Sequence, residues 1–334
     1  MIKLNRALTR VQRIRDDKLK PFITAVRKDR NDIVLKIWRN LQSDTERAYL
    51  LIAINSRGNT AINLATRKQN QILFKEFAKQ GVCVSYDRDG QNPLHCAADQ
   101  GFITIVNYLL NQTEKTYKNI NPVNNGDEEI ILKQFSSINS QDKGGNTALM
   151  LAARGGHNEV VSKLLDSGAD INSADNDGST AVMLAAENNH REIIHTLVDS
   201  REYVNSVNKY GNTAMMLAVM KESRKAMRAL LEKEANINSA NNDGDTALMY
   251  AALRGYYKEA RILLQAKADT SHQNNIGETA LSRAISYGHM KVVKLLLRVE
   301  LYLQPLTWLK FAILFNYPVQ NIILFLHTNF LLTN

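Results

Sequence analysis

The fold is decided by the stretch Ile171-Asn-Ser-Ala-Asp-Asn-Asp-Gly178-Ser-Thr180-Ala-Val-Met-Leu-Ala185-Ala186. Its Asn, Asp and Gly residues tolerate the backbone angles of a tight turn, and Gly178 is expected at a positive φ. Thr180 is then positioned as the N-cap of a helix, because its hydroxyl can accept a free backbone N–H of the first turn. The pair Ala185-Ala186 lets another helix approach closely. The stretch therefore predicts a turn followed by a short, packed helix.

The same pattern recurs every 33 residues through the second half of the chain. A threonine preceded by a glycine two residues earlier stands at Thr147, Thr180, Thr213, Thr246 and Thr279. A second helix is predicted after each first one, and in the quoted repeat its apolar face is Ile193, Ile194, Leu197 and Val198. Neither helix could bury its apolar face alone. The period therefore predicts stacked copies of a turn and two helices.

This unit resembles the ankyrin repeat. The family's motif G-x-T-P-L-H-x-A-A is nearly intact at Gly90-Gln-Asn-Pro93-Leu-His95-Cys-Ala-Ala98, and it becomes G-x-T-A-L-M-x-A-A from Gly145 to Ala153. Alanine keeps the helix where it replaces proline, whereas methionine is expected to lose the hydrogen bonds of the family's histidine. The resemblance implies an all-α type repeat solenoid, in which each repeat is a β-hairpin turn followed by two antiparallel helices.

The glycine spacing predicts the domain organisation. Seven repeats are marked by Gly58, Gly90, Gly145, Gly178, Gly211, Gly244 and Gly277. We expect a basic amphipathic segment at 1–19 and a single ankyrin-repeat domain at 20–334. Within the domain we expect an N-terminal capping repeat at 20–55, repeats 1 and 2 at 56–111, an insertion at 112–137, repeats 3 to 7 at 138–300, and an apolar C-terminal capping repeat at 301–334. The insertion is either a surface excursion or a dedicated contact loop.

The net charge of +9 is concentrated at the N-terminus. Residues 1–40 hold twelve Lys/Arg and four Asp/Glu, whereas the rest of the chain is nearly neutral. Helical spacing places Lys3, Arg6, Arg10 and Arg13 on one face. Three interpretations of this face are open. It is the solvated side of a capping helix, a contact with an anionic membrane surface or nucleic acid, or part of a targeting segment.

The sequence offers no catalytic or metal-binding constellation. His157, His190 and His289 occupy one repeat position, so they would form a line along the stack rather than converge as metal ligands must. The family resemblance implies a structural role for them. No phosphate-binding loop, G-x-S-x-G motif or paired-cysteine zinc pattern is present. We therefore predict no enzyme activity, no cofactor and no metal. The two cysteines, Cys83 and Cys96, do not indicate a disulfide scaffold and fit a reducing cytoplasm.

A partner-binding surface is predicted from the family's usual docking positions, the hairpin tips and the ends of the inner helices. In repeats 5 to 7 these positions carry aromatic, aliphatic and basic residues, which are typical of interface hot spots. The candidate partner-binding residues are Lys209, Tyr210, Met220, Leu253, Arg254, Ile276 and Tyr287.

The leading functional prediction is a non-enzymatic, cytoplasmic scaffold that binds a protein partner on the concave ankyrin surface. One version of it is an effector that an intracellular microbe delivers into the host cytoplasm. The alternative is an adaptor for a membrane surface or nucleic acid that acts through the basic N-terminus. The apolar C-terminal segment is expected to be a buried helix pair. If its apolar face were exposed, it would instead predict a dimer or membrane contact.

Overall fold

The computed structural model describes residues 19–41, 59–78, 86–119, 138–198 and 204–303. These residues contain eight pairs of helices, which we number α1 to α16. They are α1 Leu19–Arg27, α2 Asn31–Arg39, α3 Ala61–Arg67, α4 Gln71–Ala78, α5 Pro93–Asp99, α6 Ile103–Asn119, α7 Ala148–Gly155, α8 Asn158–Asp166, α9 Ala181–Glu187, α10 Arg191–Leu197, α11 Ala214–Met220, α12 Arg224–Glu232, α13 Ala247–Arg254, α14 Tyr257–Gln265, α15 Ala280–Ser286 and α16 Met290–Leu303. The helix pair α1 and α2 precedes repeat 1, and each later pair belongs to one of repeats 1 to 7.

The chain divides into two compact units, residues 1–235 and 236–334. In the first unit, α7 packs between α5 and α9, and α9 packs against α11, so the first helices of successive repeats form one layer. The second helices α8, α10 and α12 form another layer. In the second unit, α13 packs on α15 and α14 packs on α16. The all-α repeat solenoid predicted from the sequence is confirmed.

Small side chains allow the first helices to pack closely. In repeats 3 to 6 the same helix position is an alanine, and all four alanines are fully buried: Ala152, Ala185, Ala218 and Ala251. The residue two positions before each of these alanines is a methionine, and all four methionines are also buried: Met150, Met183, Met216 and Met249. The core of each repeat is therefore shared with its neighbours in the same unit, as expected of a unit that cannot fold alone.

The threonines are the N-caps of the first helices, and all but one of them cap the helix through a side-chain hydrogen bond. The hydroxyl groups of Thr147, Thr213, Thr246 and Thr279 accept a hydrogen bond from the backbone N–H three residues later, at 3.2–3.4 Å. Thr180 is also an N-cap, with extended backbone angles, but its side chain makes no cap hydrogen bond. Its Oγ1 is buried and finds no hydrogen-bond partner among the described residues. The prediction that Thr180 caps α9 through its hydroxyl is therefore wrong, although its helix starts at the predicted place.

Repeat 2 retains the family's histidine. The backbone N–H of Asn92 donates to Nδ1 of His95 at 3.3 Å, while the side chain of Asn92 accepts from the backbone N–H of His95 at 3.0 Å. On the other side of the ring, Nε2 donates to the carbonyl oxygen of Ser140 at 2.9 Å and lies 3.1 Å from that of Asn146. In repeat 3, Met150 replaces the histidine, and its sulfur accepts from the backbone N–H of Thr147 at 3.5 Å. One of the expected losses is thus replaced by a weaker sulfur contact.

Burial lowers the pKa of His95 below its ordinary value of 6.5, so the folded protein favours the neutral ring. The stabilisation this gives is present above about pH 6.5 and is lost as the pH falls toward the lowered pKa, because the unfolded chain takes up the proton first. We expect the free energy of unfolding to fall less steeply below about pH 6.5 in His95→Gln than in the wild type. Denaturant titrations at several pH values test this. Equal slopes in the two proteins would contradict it.

The hairpin turns share one pattern of hydrogen bonds. An Asp or Asn side chain accepts the backbone N–H groups two and four residues later, for example Asp175 from Asp177 and Ser179, at 2.8–2.9 Å. The glycine between them adopts the predicted positive φ, which is +77° at Gly178. Successive turns within a unit are joined through the backbone, since the N–H of Lys209 donates to the carbonyl of Asp177 at 2.9 Å. The turns therefore form a continuous, hydrogen-bonded edge along each unit.

Several sequence predictions lie wholly or partly outside the described residues. The basic positions Lys3, Arg6, Arg10 and Arg13 lie outside them, as does 304–334 of the predicted C-terminal capping repeat. Within the predicted insertion at 112–137, α6 continues to Asn119, and the remainder is not described. None of the helices in the described ranges is both long and apolar enough to cross a membrane.

Candidate partner-binding surface

Three of the predicted partner-binding residues lie in the first unit. Lys209 and Tyr210 are at the hairpin tip of repeat 5, and Met220 is the last residue of α11. Tyr210 is 53% exposed, and its backbone N–H is fixed by the side chain of Asn208 at 3.0 Å. The ammonium of Lys209 lies 5.0 Å from the centre of the Tyr210 ring and is ion-paired with Asp177. Tyr210 is therefore an exposed aromatic residue on a turn that neighbouring groups hold in place.

The other four lie in the second unit. Ile276 is at the hairpin tip of repeat 7 and is 77% exposed, and Tyr287 is the C-cap of α15 and is 61% exposed. Arg254, the last residue of α13, is exposed too. Their positions in the repeat predict that all these side chains lie on the surface. Leu253 and, in the first unit, Met220 are only half-buried, so their contribution to a free surface is smaller than expected.

Tyr287 is fixed by the histidine that follows it. Its ring stacks on the ring of His289, with 6.5 Å between the ring centres and 10° between the ring planes. Nε2 of His289 is hydrogen-bonded to the carbonyl of Leu253 at 3.0 Å. This histidine therefore ties the turn of repeat 7 to the end of α13 and at the same time supports the exposed tyrosine. The structural role that the family resemblance implies for His289 is confirmed, as it is for His157 and His190, which bond the carbonyls of Asp99 and Arg154.

Sequence reasoning missed one exposed apolar residue on α15. Ile285 is 57% exposed, whereas the equivalent residues of repeats 3 to 6 are buried: Ala153, Ala186, Val219 and Ala252. The change from a small residue to isoleucine was visible in the sequence and would have distinguished repeat 7 from the others.

Among the described residues, no group of three or more His, Cys, Asp or Glu side chains could hold a metal ion. Cys96 is buried in α5, and this burial raises the pKa of its thiol to about 12. The thiolate, which is the reactive form, is therefore strongly disfavoured in the folded protein. What the two units offer to another molecule is a set of exposed side chains on rigid turns and helix ends.

Comparison with known proteins identifies the repeats. The family model for ankyrin repeats in sets of three matches residues 22–121, 120–208 and 200–274, and the model for a single ankyrin repeat matches residues 276–302. A stretch of 129 residues is 31% identical to the transient receptor potential cation channel subfamily A member 1 homolog of Caenorhabditis elegans; it covers 33% of this chain and 10% of that protein. The chain thus matches only a small part of this relative. The family models cover most of the chain, and the protein belongs to the ankyrin repeat family.

Proposed function

We propose that this protein is a non-enzymatic scaffold that binds a protein partner through its hairpin tips and the ends of its first helices, on the concave side of the repeats. Ankyrin repeats generally mediate protein–protein interaction. The observation that carries the finer proposal is the exposure of large aromatic and aliphatic side chains on hydrogen-bonded turns, which are Tyr210 in the first unit and Ile276 and Tyr287 in the second. Tyrosine on a rigid support contributes a large contact area at a low cost in conformational entropy.

The partner is expected to use these residues as anchors. Arg254, Leu253 and Met220 lie at the ends of α13 and α11, at positions equivalent or adjacent to that of Tyr287 in repeat 7. Arginine is enriched in interface hot spots, and half-buried aliphatic side chains exclude water around an anchor. The polar tips of repeats 3 and 4, such as Asp177, offer no comparable anchor and set the limit of the proposed surface.

Alanine at Tyr210 and Tyr287 is expected to weaken partner binding by about 2 kcal/mol or more without unfolding the repeats. The partner is first recovered from cell lysate by affinity capture and mass spectrometry. Its affinity for the wild type, each single variant and the double variant is then measured by calorimetry.

Tyr257→Ala is the matched control, because Tyr257 is also an exposed tyrosine but begins a second helix, α14. The proposal requires that the partner loses affinity for the Tyr210 and Tyr287 variants and keeps it for Tyr257→Ala. A partner that binds all three equally would refute it.

Two further proposals rest on the sequence. Delivery into the host cytoplasm as a microbial effector is tested by a translocation assay with a reporter fused to the chain. Binding to a membrane surface or nucleic acid through Lys3, Arg6, Arg10 and Arg13 predicts steep salt dependence that disappears when residues 1–16 are deleted. In either case we propose a cytoplasmic location.

A further inference from the structure

The exposed charge of the second helices changes sign along the chain. The change is seen at the second and fifth residues of each second helix. These residues are Glu159 and Ser162 in α8, Glu192 and His195 in α10, Lys225 and Arg228 in α12, Lys258 and Arg261 in α14, and Lys291 and Lys294 in α16. The two positions are therefore acidic or neutral in repeats 3 and 4 and basic in repeats 5 to 7. Because the positions are equivalent, each pair occupies the same place on its helix.

In the second unit these side chains form one basic face on two neighbouring helices. We define the α14–α16 basic face as Lys258, Arg261, Lys291 and Lys294, all of which are exposed. The helices α14 and α16 pack side by side within this unit, which brings the two pairs into adjacent rows. Arg298 continues the row of α16 by one turn and is exposed as well. The one carboxylate among the described side chains of these helices, Glu259, is buried. The exposed charge of the face is therefore entirely positive.

The cations of this face lack the acidic partners that some other basic residues of the protein have. Arg67, Arg191, Lys221 and Arg283 each form an ion pair with an acidic side chain. No ion pair with another described residue is formed by any of the four residues that define the face. Four like charges on adjacent helices repel one another, at a cost that an anionic partner would relieve.

Exposed amphipathic and apolar side chains stand at the edge of the face. Tyr257 and Met290 are the first residues of α14 and α16, and each directly precedes a lysine of the face. A tyrosine ring or a thioether next to lysines matches the boundary between lipid headgroups and acyl chains, where amphipathic side chains insert while the lysines remain with the headgroups.

We propose that the α14–α16 basic face binds the surface of an anionic phospholipid bilayer. Three of its four cations are lysines, which act as point charges and need no paired acceptor geometry, unlike the bidentate contacts of arginine with a defined carboxylate. Regularly spaced charges on two parallel helices match an extended anionic surface. This face consists of second helices, whereas the proposed protein partner contacts hairpin tips and first-helix ends. Within the second unit the two kinds of binding can therefore occur together, and a bilayer on the basic face would leave Ile276 and Tyr287 free for the partner.

The test is cosedimentation of the full-length protein with vesicles of phosphatidylcholine, alone or mixed with phosphatidylserine. Binding to the mixed vesicles is expected, with little binding to phosphatidylcholine alone and a steep fall as salt is added. Each basic residue near an anionic surface raises partitioning by about fivefold. The variant Lys258→Gln/Arg261→Gln/Lys291→Gln/Lys294→Gln is therefore expected to lose more than about 50-fold.

The matched control is Lys36→Gln/Arg88→Gln/Lys143→Gln/Lys267→Gln, which removes the same charge from exposed residues outside the face. It should retain most of the binding, and circular dichroism checks that both variants are folded. A third variant, with Lys3, Arg6, Arg10 and Arg13 replaced by glutamine, measures how much of the vesicle binding depends on the N-terminus. The proposal is overturned if the variant of the face binds like the control, if the third variant alone abolishes binding, or if the face binds an acidic peptide or an oligonucleotide but not the mixed vesicles.

Discussion

Replacing Arg283 by alanine is expected to lower the free energy of unfolding of the second unit by about 3 kcal/mol. Arg283 lies in α15 and is 11% exposed, and its guanidinium donates to Asp245 at 2.8 Å and to Glu278 at 2.7 Å. The side chain of Asp245 is only 7% exposed. Without Arg283, this carboxylate keeps the side chain of Asn274 as a donor, at 2.9 Å, but loses its counter-charge. A buried charge without its partner costs far more than the intact pair contributes.

The loss is measured by denaturant unfolding, and hydrogen exchange of peptides from 236–303 locates it. Glu278→Gln is the matched control, because it removes the other acidic partner, which is about a third exposed and better solvated. The double variant Arg283→Ala/Asp245→Asn should recover part of the loss, since a neutral amide needs no counter-charge. If Arg283→Ala cost no more than Glu278→Gln, the ion pair with Asp245 would not be the main stabilising contact of Arg283.

This ion pair shows how the repeat pattern can conceal a functional or structural exception. The helix position of Arg283 is Leu151, Leu184 and Leu217 in repeats 3 to 5 and Tyr250 in repeat 6. An arginine at a position that is otherwise apolar is a detectable signal. The acidic residues that pair with it are Asp245 and Glu278, at a repeat position that is Ser179 in repeat 4 and Asn212 in repeat 5. Only the packing of α15 on α13 brings the three together, and no local rule on the sequence predicts that contact.

Local chemistry explains which sequence predictions are correct. Thr147 and Thr213 cap their helices and Gly178 has a positive φ, because each depends on a few neighbouring residues. Thr180 makes no side-chain cap although its backbone angles match those of the other threonine N-caps, and nothing in the structure explains this difference. Met220 and Leu253 are half-buried although they stand at or next to the ends of their helices, so the repeat position alone does not predict their exposure. The exposure of Tyr210 and Ile276 was predictable from the sequence, because each lies at a hairpin tip, two residues after the Asn whose side chain accepts its backbone N–H.

Replacing Gly156 by alanine is expected to destabilise the first unit by about 2 kcal/mol or more, because two penalties act together. Gly156 ends α7 at φ +83°, a left-handed conformation that costs an alanine about 1–2 kcal/mol. A Cβ there would also fall 2.6 Å from the ring of His190 in repeat 4. Gly168→Ala is the matched control, since Gly168 has φ +86° and a Cβ there would meet no atom within 4 Å. Denaturant unfolding of the two variants separates conformational strain from the clash, and equal losses would rule the clash out.

The next repeat suggests how the clash can be relieved. There Asn189 occupies the turn position with φ +63°, and the following repeat has Ser223 at the position of His190. The Ser223 hydroxyl donates to the carbonyl of Glu187 at 3.0 Å, as Nε2 of His190 donates to that of Arg154 at 3.0 Å. At these two places the turn residue and its partner differ together: Gly156 stands against the ring of His190, whereas Asn189, which has a Cβ, is followed in the next repeat by the small hydroxyl of Ser223. Transplanting the second pair as Gly156→Asn/His190→Ser should cost less than the sum of the two single variants. If the losses in the free energy of unfolding were additive in this double-mutant cycle, positions 156 and 190 would contribute to stability independently, and the two residues would not be coupled.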